Sequence, residues 1–297
     1  MKKLAFNYQK NRFFYQMAWV FNLPLVLVVT FISITVKANE KSALTILTPS
    51  YFANEYDEKN INQHFYKVIE PALSDEFQLS VQFTNHARVM KRLASEKTSC
   101  TYNAIKTPER AKNMLFSNVP TYMHMQRQLF ALKPNIDNIP SSASVESLLA
   151  NKQIFGVIGS TSYQQLDPIF VKHNTKIAHI YGENPFLQLS KLLLNRRIDY
   201  IVAYRESLYS HLDAKQLKLI SSRTIKEYPE FINGFFTCSK TTAGYRAIAL
   251  IDEYMKSAEM AAYIQQLHNQ SNHPDDAKAM LNIWPETKIL RYRLKLV

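Results

Sequence analysis

Glycine is scarce in this sequence, with 5 in 297 residues, and cysteine and tryptophan number 2 each. So few glycines exclude a glycine-rich phosphate-binding loop, and no Gly-Lys-Ser/Thr follows any of them. There is no His-Glu-x-x-His and no Gly-x-Ser-x-Gly, which removes the commonest zinc-protease and serine-hydrolase signatures. The eight histidines are scattered; His173 and His179 flank a predicted strand without metal-ligand spacing and read as surface residues. No Lys/Arg-rich run marks a nucleic-acid face. Asp275-Asp276 reads as a helix start after Pro274, not as a catalytic pair. No metal, no cofactor and no catalytic residue is expected. Internal repeats and low-complexity linkers are also absent.

Acidic residues are missing from the first 38 positions, where Lys2, Lys3, Lys10 and Arg12 precede an apolar run over 17–34. Val36-Lys37-Ala38 fits a small-residue cleavage site, so 1–38 reads as an export signal to the periplasm. An uncleaved membrane anchor is the alternative reading. Five of the basic residues lie in this segment, which leaves +7 of the formal +12 on the rest of the chain. Cys100 and Cys238 are an even pair, and an oxidising compartment permits a bridge between them; two buried thiols are the alternative.

The remaining chain is rich in apolar residues, 46% overall, enough for packed cores. Hydrophobic periodicity predicts strands at 43–48, 77–83, 99–105, 127–133, 154–158, 176–180, 198–203 and 230–238. It predicts helices at 60–73, 85–93, 144–150, 163–172 and 185–194, and a mainly helical tail with starts at Pro274 and Pro285. Strands alternating with helices give an α/β protein whose sheets are mostly parallel and flanked by helices. If the strands near 127–133 and 230–238 are paired crossings, the chain forms two lobes. The first is 39–130 plus 232–297, the second 131–231, and Gly234 absorbs dihedral change at the crossing. Both cysteines then fall in the first lobe.

Three motifs resemble a known family. They are Thr107-Pro108-Glu109-Arg110 followed by Leu115-Phe116-Ser117, Pro120 and Tyr122; Phe155-Gly156-Val157-Ile158-Gly159-Ser160-Thr161-Ser162; and Leu194-Asn195-Arg196-Arg197-Ile198-Asp199-Tyr200. In order and spacing they are similar to type 2 periplasmic solute-binding proteins of the family 3-like group, related to polar amino-acid binders. Asn85-x-x-Arg88 with Cys100 and Cys238 is similar to a proteobacterial branch of that superfamily. The resemblance implies two lobes that close on a hinge around a small ligand, and a monomer that partners an ABC transporter or a membrane sensor.

The resemblance assigns the ligand's anionic group to Arg110, whose guanidinium suits a carboxylate, and faces it with Ser160 and Thr161 at a helix start. Asn85, Arg88, Tyr51 and Tyr204 complete the expected ligand set. The family's acid after the strand at 198–203 is replaced by Tyr204-Arg205, with Glu206 beyond. That departure leaves amino-acid-like ligands and other organic acids both open. Two other readings remain: an interaction module that regulates a membrane partner without a ligand, and an enzyme on the same fold.

Overall fold

The computed structural model describes residues 41–49, 61–95, 97–151, 153–269 and 274–293. The export-signal segment and Tyr51 lie outside the described residues.

Twelve strands run through the described residues. They are β1 Ser42–Pro49, β2 Phe77–Thr84, β3 Ser99–Ile105, β4 Met114–Phe116, β5 Tyr122–Met125, β6 Gln128–Leu132, β7 Ser142–Ala143, β8 Phe155–Ile158, β9 Ile177–Ile180, β10 Tyr200–Ala203, β11 Ile220–Ile225 and β12 Phe231–Ser239. They form two six-stranded sheets. The first is ordered β2-β1-β3-β12-β4, with β5 also on β12; the second is ordered β7-β11-β6-β10-β8-β9.

Each sheet has parallel pairs next to antiparallel ones. β1 pairs in parallel with β2 and β3, and β8 with β9 and β10. The antiparallel pairs come from β12 in the first sheet and from β6 in the second. Strands inside a layered α/β sheet are covered on both faces and read as continuous apolar runs. β8 and β10 follow that rule, since all four residues of each are buried.

Helices cover the sheets by burying one stripe each. Helix Ile61–Ser74 sets Phe65, Ile69 and Leu73 against Leu44, Ile46 and Phe236. Helix Pro185–Leu194 packs Leu189 and Leu193 against Phe130 and Ile201. Gly156 permits this approach: a Cβ there would stand 2.6 Å from Leu189 Cδ2 and 2.5 Å from Ile198 Cδ1.

The chain passes between the sheets twice, from β5 to β6 through Gln126-Arg127 and from β11 to β12 through residues 226–230. Gln126 ties the two crossings together. Its amide donates to the carbonyls of Ile225 (2.9 Å) and Tyr228 (2.8 Å).

Gly234 is not at a crossing. It sits inside β12, paired with Ile105 and Tyr122, and its carbonyl accepts from Thr121 N–H at 2.8 Å. A Cβ there would fall 1.7 Å from Asn103 Oδ1. The residue serves close packing, not dihedral freedom.

Two helix expectations also change. Pro285 lies within helix Pro274–Arg293 rather than at a start. The stretch 163–172 splits into a 3-10 turn, Gln164–Leu166, and a short α-helix, Asp167–Lys172.

The cysteines are bonded. Cys100 of β3 and Cys238 of β12 are register partners in the first sheet. Among the described residues no helix is long and apolar enough to cross a membrane.

Candidate functional site

A cavity of about 90 Å³ opens where the two sheets face each other. The first sheet and its helices contribute Asn103, His124, His86 and Arg110; the second contributes Thr161, Tyr163 and Tyr204, and Arg127 enters from the crossing.

Local sequence sets these side chains. Thr107 caps helix Pro108–Asn113, its hydroxyl accepting from Arg110 N–H at 3.2 Å with Pro108 in the first turn. That fixes the backbone of Arg110, and its guanidinium Nη1 donates to Ile105 O at 3.0 Å. Asn85 caps helix His86–Leu93 by accepting from Arg88 N–H at 2.9 Å, which carries His86 into the cavity wall.

Arg127 is 3% exposed. Its guanidinium lies 4.2 Å from the Tyr163 ring centre, 4.6 Å from Tyr204 and 5.6 Å from Tyr228. Nη1 donates to Ser162 O at 2.7 Å and Nη2 to Thr161 Oγ1 at 3.3 Å. A guanidinium keeps its charge under any ordinary condition, and aromatic faces stabilise a desolvated cation by about 2 kcal/mol. The charge is thus held permanently at the cavity wall.

His86 is half buried, and its Nδ1 lies 3.1 Å from Ser160 Oγ. Burial first, then the charges of Arg110 and Arg127, push its pKa down to about 3, so the ring is neutral near pH 7. His124 stacks on Tyr204 at 4.3 Å, approaches Glu206 at 3.5 Å and bonds Asn103 Nδ2 at 2.9 Å. Asn103 holds this place with φ at 60°.

Of the ligand set read from sequence, Arg110, Thr161 and Tyr204 line the one cavity, and Ser160 bonds to its wall through His86. Asn85 is a helix cap beside it, and the Arg88 side chain is exposed. The hydroxyls at 160 and 161 do not sit at a helix tip. Ser162 Oγ and Tyr163 N–H, at the turn after β8, both donate to Asp167 at 2.8 Å. The carboxylate therefore takes the place an anion would have had at that turn.

No protein-family model matches the sequence, and no curated protein matches it. Solved structures do. One, from work on glutathione import via GshT and the cystine ABC importer TcyBC of Streptococcus mutans, is 15% identical with a TM-score of 0.59, over 80% of this chain and 99% of that one. An ancestral arginine-binding protein bound to arginine is 16% identical at 0.58, over 76% and 97%. A histidine kinase sensor domain with similarity to periplasmic binding proteins is 11% identical at 0.60, over 79% and 97%.

The chain has the periplasmic-binding-protein fold. Within that fold, the sequence reading passed over several residues at the cavity. Arg127 read as the first residue of a strand, and only the crossing turns it inward. Three of the scattered histidines are also inside: His86 and His124 line the cavity, and His268 is fully buried, accepting from Met123 N–H at 3.3 Å. Tyr163 and Tyr228 belong to different crossings and loops, and no spacing pattern joins them to Arg127.

Proposed function

We propose that this chain is an exported, non-catalytic solute-binding protein that closes around a small carboxylate-bearing molecule, amino-acid-like or another organic acid. One observation carries the reading. Among the described residues, the cavity between the sheets is lined by two guanidiniums, Arg110 and Arg127, and two imidazoles, His86 and His124, and by no carboxylate. A partly desolvated cavity with that charge favours an anion, and a guanidinium fork suits a carboxylate or similar planar acid.

The two lobes are 39–130 plus 232–297 and 131–231, and they move about the Gln126-tied crossings as a hinge. Arg110 supplies the main anion contact, Thr161 and Ser160 face it, and Tyr204 with Tyr51 flank the ligand. Asn85 acts by fixing His86, and the exposed Arg88 adds positive charge to the same helix. The bonded cysteines and the signal-like 1–38 support release into the periplasm, where the chain acts as a monomer. Delivery to an ABC transporter is the reading favoured by the likeness to importer proteins; the histidine kinase sensor domain favours presentation to a membrane sensor.

A thermal-shift and calorimetric screen of carboxylates, amino acids and short peptides tests the proposal. A true ligand at a hundred times its Kd stabilises the fold by about 2.7 kcal/mol, and Arg110→Gln removes that gain. A panel with no Arg110-dependent stabilisation refutes it.

A further inference from the structure

The cavity does not end at Thr161. Arg110, Ile158, Thr161 and Tyr163 also line a second cavity of about 480 Å³, so the two adjoin at a wall these four residues share. The outer chamber differs in chemistry. It adds two carboxylates, Glu109 and Asp167, together with Phe170 and Val171.

On the reading above, we propose that the ligand is an elongated monoanionic acid. Its carboxylate sits in the inner chamber, and its chain runs into the outer one, ending in an uncharged or cationic group. The inner chamber is too small for a bulky molecule, and its described lining residues include no acid to receive an ammonium beside the carboxylate. Glu206, the nearest acid after β10, is turned to His124 instead, 3.5 Å from its Nδ1. An α-ammonium would therefore be desolvated among cations. In the outer chamber the charge preference reverses. Methylenes meet Tyr163, Phe170 and Val171, a distal ammonium faces Glu109 and Asp167, and a distal carboxylate is repelled by them. Glu109 also pairs with Lys112 at 2.8 Å, but both are largely exposed, so the pair exchanges readily with a ligand cation.

Calorimetry on the purified chain with four six-carbon probes tests this: hexanoate, 6-aminohexanoate, its isomer leucine, and adipate. Hexanoate and 6-aminohexanoate are expected to bind at least about tenfold more tightly than leucine or adipate. Val171→Trp, at a residue 76% exposed, narrows the outer chamber without touching the core. It is expected to weaken hexanoate about fivefold or more while leaving propionate unchanged. Leucine or adipate binding as tightly as hexanoate, and lost in Arg110→Gln, overturns the elongated ligand but leaves the binding reading intact. An unchanged hexanoate Kd in Val171→Trp does the same. Failure of every probe to bind overturns the elongated ligand, while the binding reading falls only if the wider panel above also gives no Arg110-dependent stabilisation.

Discussion

His86 Nδ1 and Ser160 Oγ, 74 positions apart in sequence, stand 3.1 Å from each other across the cleft. The imidazole rides on a helix of the first sheet, and the hydroxyl follows β8 of the second. On the proposed hinge closure, the bond would stabilise the closed arrangement by the net value of one hydrogen bond, about 0.5–1.5 kcal/mol. Ser160→Ala should shift the ligand-free protein toward an open form, seen as a larger radius of gyration in X-ray scattering. An unchanged scattering profile would remove this bond from the closure mechanism.

Acid should destabilise the fold through two histidines. Burial and neighbouring cations hold His86 at about 3, and burial, with the His124 charge second, holds His268 at about 4, both below the ordinary 6.5. Above pH 6.5 both rings are neutral folded or unfolded, and they contribute no pH dependence. Below it the unfolded chain takes up protons that the folded chain refuses, so stability falls from about pH 6.5 down to 4 and, for His86, to 3. Each histidine adds a slope of at most about 1.4 kcal/mol per pH unit. Urea unfolding at pH 7 and 4.5 should show the loss, with His86→Gln flattening part of it. Equal slopes in wild type and variant would contradict the assignment.

Replacing Arg127 tests the tyrosine cage. Arg127→Lys keeps the charge but loses the planar fork that reaches Ser162 O and Thr161 Oγ1. We expect a cost of about 1–3 kcal/mol, and a larger one for Arg127→Ala, which also leaves the Ser162 carbonyl unsatisfied. Denaturant midpoints measure both. A lysine variant as stable as wild type would show that the fork contributes nothing.

Gly234 and Asn103 should be coupled. A methyl at Gly234 collides with Asn103 Oδ1, so Gly234→Ala should cost about 1–3 kcal/mol. Asn103→Gly removes the obstructing side chain and suits the positive φ, so the double variant should recover part of the loss. Strict additivity would mean that the collision is relieved elsewhere.

Reduction of Cys100–Cys238 opens a link between residues 138 positions apart. The chain-entropy model assigns such a loop roughly 4–5 kcal/mol, an upper figure for the loss of stability. Both cysteines lie in one sheet, so ligand affinity should change little in the reduced protein at temperatures where it stays folded. A large change in Kd at constant fold would mean that the bridge reaches the cleft.

Sequence by itself determined the layers. β8, β10 and the helix Pro185–Leu194 were legible because a strand or helix that must be covered writes its period into adjacent residues. The helix starts at Asn85 and Ser144 were legible too, because a cap involves only the next three residues. Arg110, which lines the cavity, came from a local turn and a family resemblance. β5 and β11 were not read, since each takes its place from partners far along the chain. Tertiary structure alone decided that Arg127 would be enclosed by Tyr163, Tyr204 and Tyr228, that His86 would meet Ser160, and that Gly234 would make room for Asn103. These pairs are set by how two sheets approach, and an approach between distant segments leaves no periodic trace in either of them.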